Sequence, residues 1–544
     1  MKKNLGFYLL LMLVSGMFCL WRTPPIRAAE KISFRYSLLE FSLPVASLEA
    51  YAKTGEIDRY LRSYLKSASP QELIRLRELL NYQIDIGQTK VYRFFNSSIG
   101  KNILQYSGNF IQASPTQNGF YGLRSAFILA AGEPDGLSLL NILRHFPSKT
   151  IYINGEDSLN LAHTLIEAVT QTQKAIAAIQ NQADLEIQSK PQVDFTQQPD
   201  IRKAGTFTWK QKTITFDDTQ RNRSFNASLY RPQVSTSKSI PTIIVSPGLG
   251  ADGSSFDYLG QHLASYGFAV IIVDHPGSDR LRVENFFKGI NREIIEAEEF
   301  IARPGDISYM LDELQRRELT NPSPNNRLNL ERVGMIGHSL GAYTALALAG
   351  AELNLEHLQQ SCQEDTNAPD YLNFSLLFQC VAAELSTTEN YQLFDPRIKA
   401  VFALNPMNSL VFGQQGLSKI QVPVTFVAGG EDVVTPALLE QFIPFTWLES
   451  PHKYLLSIDK GSHTYESINN FYSTGNINRS QNLSQKLSQN YLQAITLAFM
   501  KNYLVKNNDY QIFLNSGYAQ FISHDSLKLN LVNSLNEDKF KIDE

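Results

Sequence analysis

The chain has 544 residues, 43% of them apolar, so it holds more than one domain and enough apolar mass for real cores. A net charge of −4, with no long run of Lys or Arg, excludes a surface built to neutralise nucleic-acid phosphates. Charged residues at 19% and aromatics at 11% exclude a disordered chain, which would be rich in charge and poor in aromatics.

Residues 1–29 read as a secretory signal peptide. Lys2 and Lys3 precede an apolar run from Leu5 to Leu20, followed by Pro24-Pro25 and a small-residue cleavage site at Ala28-Ala29. The competing reading is an N-terminal membrane anchor, because the run of about 16 residues is just short of a span and Trp21-Arg22 suits an interface. Cleavage leaves Cys362 and Cys380, which lie 18 apart and pair as a disulfide in an oxidising compartment; the alternative is two buried thiols. Neither has the spacing of a metal site.

Residues 30–200 read as a mainly helical N-terminal domain. Ser69-Pro70-Gln71-Glu72 supplies a capping Ser, a first-turn Pro and a Glu that reaches back to the cap, with Leu73, Leu76 and Leu80 following on one face. Between Asp157 and Ala183, Leu161, Leu165, Val169, Ile176 and Ile179 recur at three- to four-residue steps or multiples of them, which predicts a long helix packed along one side. Gln188 to Pro199 is polar and reads as a linker.

From residue 201 to 505 the period changes. Thr206–Lys210, Thr213–Asp217 and Ser224–Tyr230 read as short antiparallel strands. Buried-type strands then alternate with helices: Thr242–Ser246, Phe268–Asp274, Val333–Gly337, Ile398–Leu404, Val422–Ala428 and Tyr454–Ile458. That alternation predicts an α/β domain with a mostly parallel central sheet and helices on both faces. Leu483, Leu487, Tyr491, Ile495 and Phe499 make a last helical stripe, and residues 506–544 read as a tail without pattern.

Two motifs carry chemistry. Gly248-Leu249-Gly250-Ala251-Asp252-Gly253 is a literal GxGxxG after a strand, with Asp274 about 20 residues on, as in a dinucleotide site. Pro247 stiffens its entry, and the helix starts only near Ser254, too late to meet a pyrophosphate at the first glycine. Gly337-His338-Ser339-Leu340-Gly341 arises by chance in roughly one chain of this length in six, but here it lies on a strand-to-helix turn. A Ser in that turn is strained and exposed, and flanking glycines avoid collisions.

Ser339 is too weak an acid to attack unaided, so it needs a base and an acid to orient that base. Chain order Ser, acid, His leaves His463, just past Tyr454–Ile458, and Asp432, which follows Val422–Ala428 through Gly429-Gly430-Glu431. His452 precedes its strand and emerges at the wrong end. His524 lies farther on, Glu431 points away from Asp432, and Asp395 comes before its nearest strand. The Gly-rich loop then supplies the Leu249 amide, and the turn supplies Leu340, as oxyanion donors.

At these residues the chain resembles the α/β-hydrolase superfamily, and more narrowly the platelet-activating-factor acetylhydrolase and dienelactone-hydrolase-like branch. The likeness runs from about Arg223 to His463 through Leu229-Tyr230-Arg231-Pro232, Ser246-Pro247-Gly248-Leu249-Gly250, Leu263-Ala264-Ser265-Tyr266-Gly267-Phe268, Arg303-Pro304-Gly305-Asp306-Ile307, Leu311-Asp312-Glu313-Leu314 and Gly337–Gly341. It implies Ser339, Asp432 and His463 as the triad, with Leu249 and Leu340 as oxyanion amides. Ser246-Pro247 stands where relatives often carry His-Gly, and dienelactone hydrolase proper uses a Cys nucleophile, so the name implies ancestry and not substrate. Ala29 to about Val169 is similar to a domain of unknown function that precedes such hydrolases in cyanobacterial proteins, which implies a bacterial exported enzyme.

The sequence thus predicts an exported serine hydrolase of carboxylic esters, with lipid or short-acyl phospholipid substrates implied by the resemblance. It calls for no cofactor, no metal and no nucleic acid, and a lipid substrate is compatible with peripheral membrane contact. An acyltransferase or amidase would keep the same triad. From another class comes a non-catalytic binding protein on a hydrolase scaffold, which would have no need of all three residues. The insertion 352–391 reads as a lid whose Phe374 and Phe378 contact the acyl chain, against the alternative of a helical excursion packed on the sheet.

Overall fold

The structure is a computed structural model, and it describes residues 29–36, 39–189, 191–234, 238–320, 327–363, 373–464 and 479–535. The signal-peptide reading therefore lies, apart from Ala29, outside the described residues. Among those residues no helix is long and apolar enough to cross a membrane.

The chain divides into two compact units, Met1–Ala162 and His163–Glu544. The division falls inside a single helix, Gly155–Ser189, and not at the polar stretch near residue 200. That stretch is no free linker, because Phe195 packs its ring against Tyr518 and Phe521 at 5.2 and 5.6 Å. The helix also departs from its predicted stripe. Ala175, Ile179 and Ala183 are buried, whereas Leu165 and Val169 on the earlier turns are exposed.

The first unit is not purely helical. Lys31–Tyr36 pairs antiparallel with Leu39–Pro44 and parallel with Thr150–Asn154, which in turn pairs with Ile111–Gln112. Helices including Val45–Thr54, Pro70–Asn81 and Phe120–Ala130 share a core of Leu48, Leu80, Leu123, Phe146 and Ile151. The start of Pro70–Asn81 closes as its residues predict: Glu72 N–H donates to Ser69 Oγ, and Ser69 N–H donates to Glu72 Oε2 at 2.7 Å.

Among the described residues, the second unit is built on a nine-stranded mixed sheet. Its strands are β1 (Trp209–Asp218), β2 (Arg223–Pro232), β3 (Ile240–Ser246), β4 (Ala269–Val273), β5 (Leu328–His338), β6 (Ile398–Leu404), β7 (Val424–Gly429), β8 (Lys453–Ile458) and β9 (Leu529–Val532). They lie in the order β1-β2-β4-β3-β5-β6-β7-β8-β9. The six from β4 to β8 are parallel, and β1, β2 and β9 add antiparallel edges. The two short strands expected between Thr206 and Asp217 are one continuous β1, paired along its whole length with β2.

Alternate strand residues divide the core. Ile243, Val245, Val270, Ile272, Ile336 and Phe402 face helices α1 (Asp257–Ser265) and α4 (Arg479–Tyr503) through Leu259, Leu263, Tyr491, Ile495 and Phe499. Helices α2 (Glu299–Thr320) and α3 (Leu340–Leu348) pack on one another through Phe300 and Tyr343, whose rings are 4.9 Å apart. The segment after Asn507 is no loose tail. It forms the helix Ser516–Ile522 and then β9, which pairs with β8 and completes the edge of the sheet.

Candidate active site

Strands β5, β7 and β8 are parallel, so the turns that leave their carboxyl ends open onto one side of the sheet. Ser339 sits between β5 and α3 with φ 53° and ψ −118°, a left-handed conformation that costs a non-glycine residue about 1–3 kcal/mol. The two glycines of the motif make the turn sterically feasible. A Cβ at Gly337 would meet the Gly341 carbonyl oxygen at 2.1 Å, and one at Gly341 would meet the Ser246 carbonyl oxygen at 1.9 Å. The nine-residue α3 begins at the next residue, so its N-terminal dipole favours negative charge beside the Ser339 hydroxyl.

A cavity of about 540 Å³ opens over this turn, lined by Ser339, Leu340, His463, Gly248, Leu249 and Phe378 among others. The structure thus brings Ser339, His463, Leu249 and Leu340 to one cavity, with Asp432 behind. His463 Nδ1–H donates to Asp432 Oδ2 at 2.8 Å, which fixes the tautomer that leaves Nε2 as the proton acceptor. Asp432 is buried, and its other partners surround it. Oδ2 also accepts from Asn405 Nδ2 at 2.6 Å and from the Thr435 hydroxyl at 2.7 Å, and Oδ1 accepts the Val434 and Thr435 N–H groups at 2.8 and 2.9 Å. Burial pushes this carboxyl upward, but His463 beside it and the hydrogen bonds outweigh burial and hold it below the usual carboxylate range.

The rivals lie elsewhere. Asp395 is bound to Arg397 and Ser308, and Glu431 is exposed. The His452 carbonyl accepts the Val424 N–H at the opposite end of the sheet, and His524 bonds Ser526. The Gly-rich loop holds no dinucleotide geometry. Its Gly253 N–H donates to Asp274 Oδ1 at 2.7 Å, its Gly250 N–H donates to the Ser278 carbonyl, and only a short 3₁₀ turn precedes α1. Burial, partly opposed by the Gly253 hydrogen bond, raises the Asp274 carboxyl to about 6. Among the described residues no cluster of His, Cys, Asp and Glu suits a metal ion.

The insertion divides its residues between two roles. Phe378 and Ser375 line the cavity, whereas Phe374 is half exposed and touches Phe378 from outside, ring centroids 6.2 Å apart. Leu355 and Leu358 are buried in the helix Leu355–Gln363, so this first part is a packed excursion and no lid. Cys362 and Cys380 are joined, with Cα atoms 5.6 Å apart.

Three groups escaped the sequence reading. Asn405 holds Asp432 from a positive φ of 43°, a conformation Asn tolerates better than most residues. His338, inside the motif itself, reaches the His463 loop. Glu440, fully buried and with no cationic partner among the described residues, accepts from Asn373, Ser375 Oγ (2.7 Å), Gln379 Nε2 (2.8 Å), Asn408 N–H (2.8 Å), Ser409 N–H (2.9 Å) and Ser409 Oγ (2.5 Å). It fastens the Phe378 segment to the loop after β6. A Glu on a short helix carries no local signal of such a role.

A protein family described as "Alpha/beta hydrolase of unknown function (DUF1400)" matches residues 28–154 of this chain. The match supports the broad α/β-hydrolase likeness and falls on the first unit, ahead of Ser339, Asp432 and His463. No curated protein matches the chain.

Proposed function

We propose that this chain is an exported serine hydrolase that cleaves carboxylic esters, on an α/β-hydrolase fold, with Ser339, His463 and Asp432 as its triad. The observation that carries the reading is the Asp432–His463 hydrogen bond at the wall of the cavity that also holds the strained Ser339. In this reading Ser339 Oγ attacks the acyl carbon while its proton passes to His463 Nε2. The imidazolium, stabilised by Asp432, returns that proton to the departing alcohol as the ester bond breaks. Water then attacks the acyl-enzyme by the same route and releases the acid. The Leu249 and Leu340 amides hold the oxyanion in both steps.

Phe256, Ile295, Phe378, Met407 and Val434 give the cavity an apolar lining, which favours acyl chains, and we assign lipid or short-acyl phospholipid esters as the substrate class. The motifs around Arg303 and Ser339 favour the platelet-activating-factor-acetylhydrolase-like branch. Fluorophosphonate labelling tests the nucleophile, and labelling that persists in Ser339→Ala overturns it. A hydrolysis screen over p-nitrophenyl esters of rising chain length, then phospholipids and galactolipids, tests the substrate class. N-terminal sequencing of protein from its native compartment tests export, which predicts a mature chain starting near Glu30.

A further inference from the structure

Beneath the cavity lies a second Ser, His and Asp in series. Asp306 Oδ2 accepts from His275 Nδ1 at 2.9 Å, and His275 Nε2 accepts from the Ser246 hydroxyl at 3.0 Å. All three are buried, at 0%, 2% and 0% exposure for Asp306, His275 and Ser246, so no substrate reaches this serine. What the series does is orient Ser246 Oγ so that its lone pairs face Arg303, whose Nη2 donates to it at 3.0 Å.

Arg303 is itself almost completely buried, on α2, and its donors reach three separate segments. Nη2 also donates to the Pro247 carbonyl, two residues before Leu249. Nη1 donates to Ser278 Oγ at 2.6 Å, and the Ser278 carbonyl accepts the Gly250 N–H at 2.8 Å, one residue after Leu249. Nε donates to Thr344 Oγ1 at 3.1 Å, and that hydroxyl donates to the Leu340 carbonyl at 2.9 Å. One guanidinium thereby brackets Leu249 from both sides and grips Leu340 from below. The charge is compensated: Arg303 and Arg223 are balanced by Glu299 and Asp306, with Arg223 bonded to both carboxylates at 2.7 Å. Burial in this cluster, partly offset by Glu299 and Asp306, lowers the guanidinium to about 10, so it stays charged at neutral pH.

We propose that Arg303 is the positioning residue of the oxyanion hole, aligning the Leu249 and Leu340 amides as Asp432 aligns His463. The inference rests on the serine-hydrolase reading. A Lys at this position supplies one point charge where three segments need a planar fork, so it does not replace Arg.

The test is Arg303→Lys, measured by steady-state kinetics on p-nitrophenyl butyrate and by affinity for a phenylboronic acid, whose tetrahedral adduct places an oxygen in the hole. The expected result is a fall in kcat on the order of a hundredfold with KM within about threefold, and a matching loss of boronate affinity. The pH midpoint of kcat/KM stays where it is, because His463 and Asp432 are untouched. Thr344→Val with Ser278→Ala keeps the guanidinium and cuts two of its three links, and is expected to lose about tenfold in both readouts. Folded Arg303→Lys with kcat and boronate affinity within twofold of wild type overturns the proposal. If Arg303→Lys does not fold, the same outcome in the double variant overturns it. Wild-type turnover in Ser339→Ala overturns the serine-hydrolase reading, and this inference with it.

Discussion

His338 Nε2–H donates to the backbone carbonyl of His463 at 2.9 Å, and the two rings lie 4.8 Å apart. The residue before the candidate nucleophile therefore holds the backbone of the candidate base, 125 residues farther along the chain. His338→Leu keeps the bulk and removes the donor. We expect kcat to fall by about ten- to a hundredfold with KM nearly unchanged, since a small misplacement of the base costs that much. Stopped-flow or steady-state ester hydrolysis checks it, and a kcat within twofold of wild type refutes the role.

Ser339→Ala is expected to abolish esterase activity and leave the fold intact, because it removes one hydroxyl from a turn at the cavity. The loss for a triad acting as a unit is on the order of a millionfold. His463→Ala should match it, and His452→Ala should be nearly silent, since His452 lies at the other end of the sheet against Tyr503. The reverse ranking of the two histidine variants would mean that the base is misassigned.

Acid should weaken the second unit through its buried histidines. Burial, slightly opposed by backbone contacts at Ile201 and Gln493, lowers His262 to about 4 from an ordinary 6.5. A depressed histidine is neutral in the native state where the unfolded chain is already protonated, so stability is full above about pH 6.5 and falls as pH drops towards 4. The contribution at stake is on the order of 3 kcal/mol for His262, and burial shifts His275 in the same direction. Urea midpoints at pH 7 and pH 4.5 should drop less for His262→Gln than for wild type; equal drops would exclude His262 as the cause.

What was legible in the sequence depended on range. Ile398–Leu404 is observed residue for residue as β6, because a short Val- and Ile-type run between turn signals declares a buried strand by itself. The strand-end positions of Ser339, Asp432 and His463 were legible because each lies on the turn that leaves a parallel strand. Strand β9 is only four residues, Leu529–Val532, and its identity comes from pairing with β8, which no local pattern announces. Arg303 and Glu440 are set by contacts across 57 and 67 residues, and a charged residue read in isolation looks like solvated surface. The early part of the helix Gly155–Ser189 misled in the opposite sense, since Leu165 and Val169 repeat with helical period and yet are exposed.

The last prediction concerns how the wall of the cavity is held. Two fastenings act on the segment 373–384: Glu440 grips Asn373, Ser375 and Gln379, and the disulfide ties Cys380 to Cys362. They differ in kind. Glu440→Gln leaves a neutral amide among donors that require a carboxylate, so Ser375 and Phe378 lose their fixed place beside the cavity. Closing a loop of 18 residues stabilises a fold by about 3 kcal/mol in the chain-entropy model, chiefly by restricting the unfolded chain. Glu440→Gln should therefore raise KM for long-chain esters more than for acetate, as should Phe378→Ala, whereas Phe374→Ala, outside the cavity, should do little. Cys362→Ser with Cys380→Ser should lower thermal stability and leave the chain-length preference close to wild type. Chain-length profiles of all four variants, with their melting temperatures, separate the two roles. A shifted profile in the cysteine variant with an unshifted one in Glu440→Gln would reverse the assignment and make the bridge, not the buried carboxylate, the group that shapes the cavity wall.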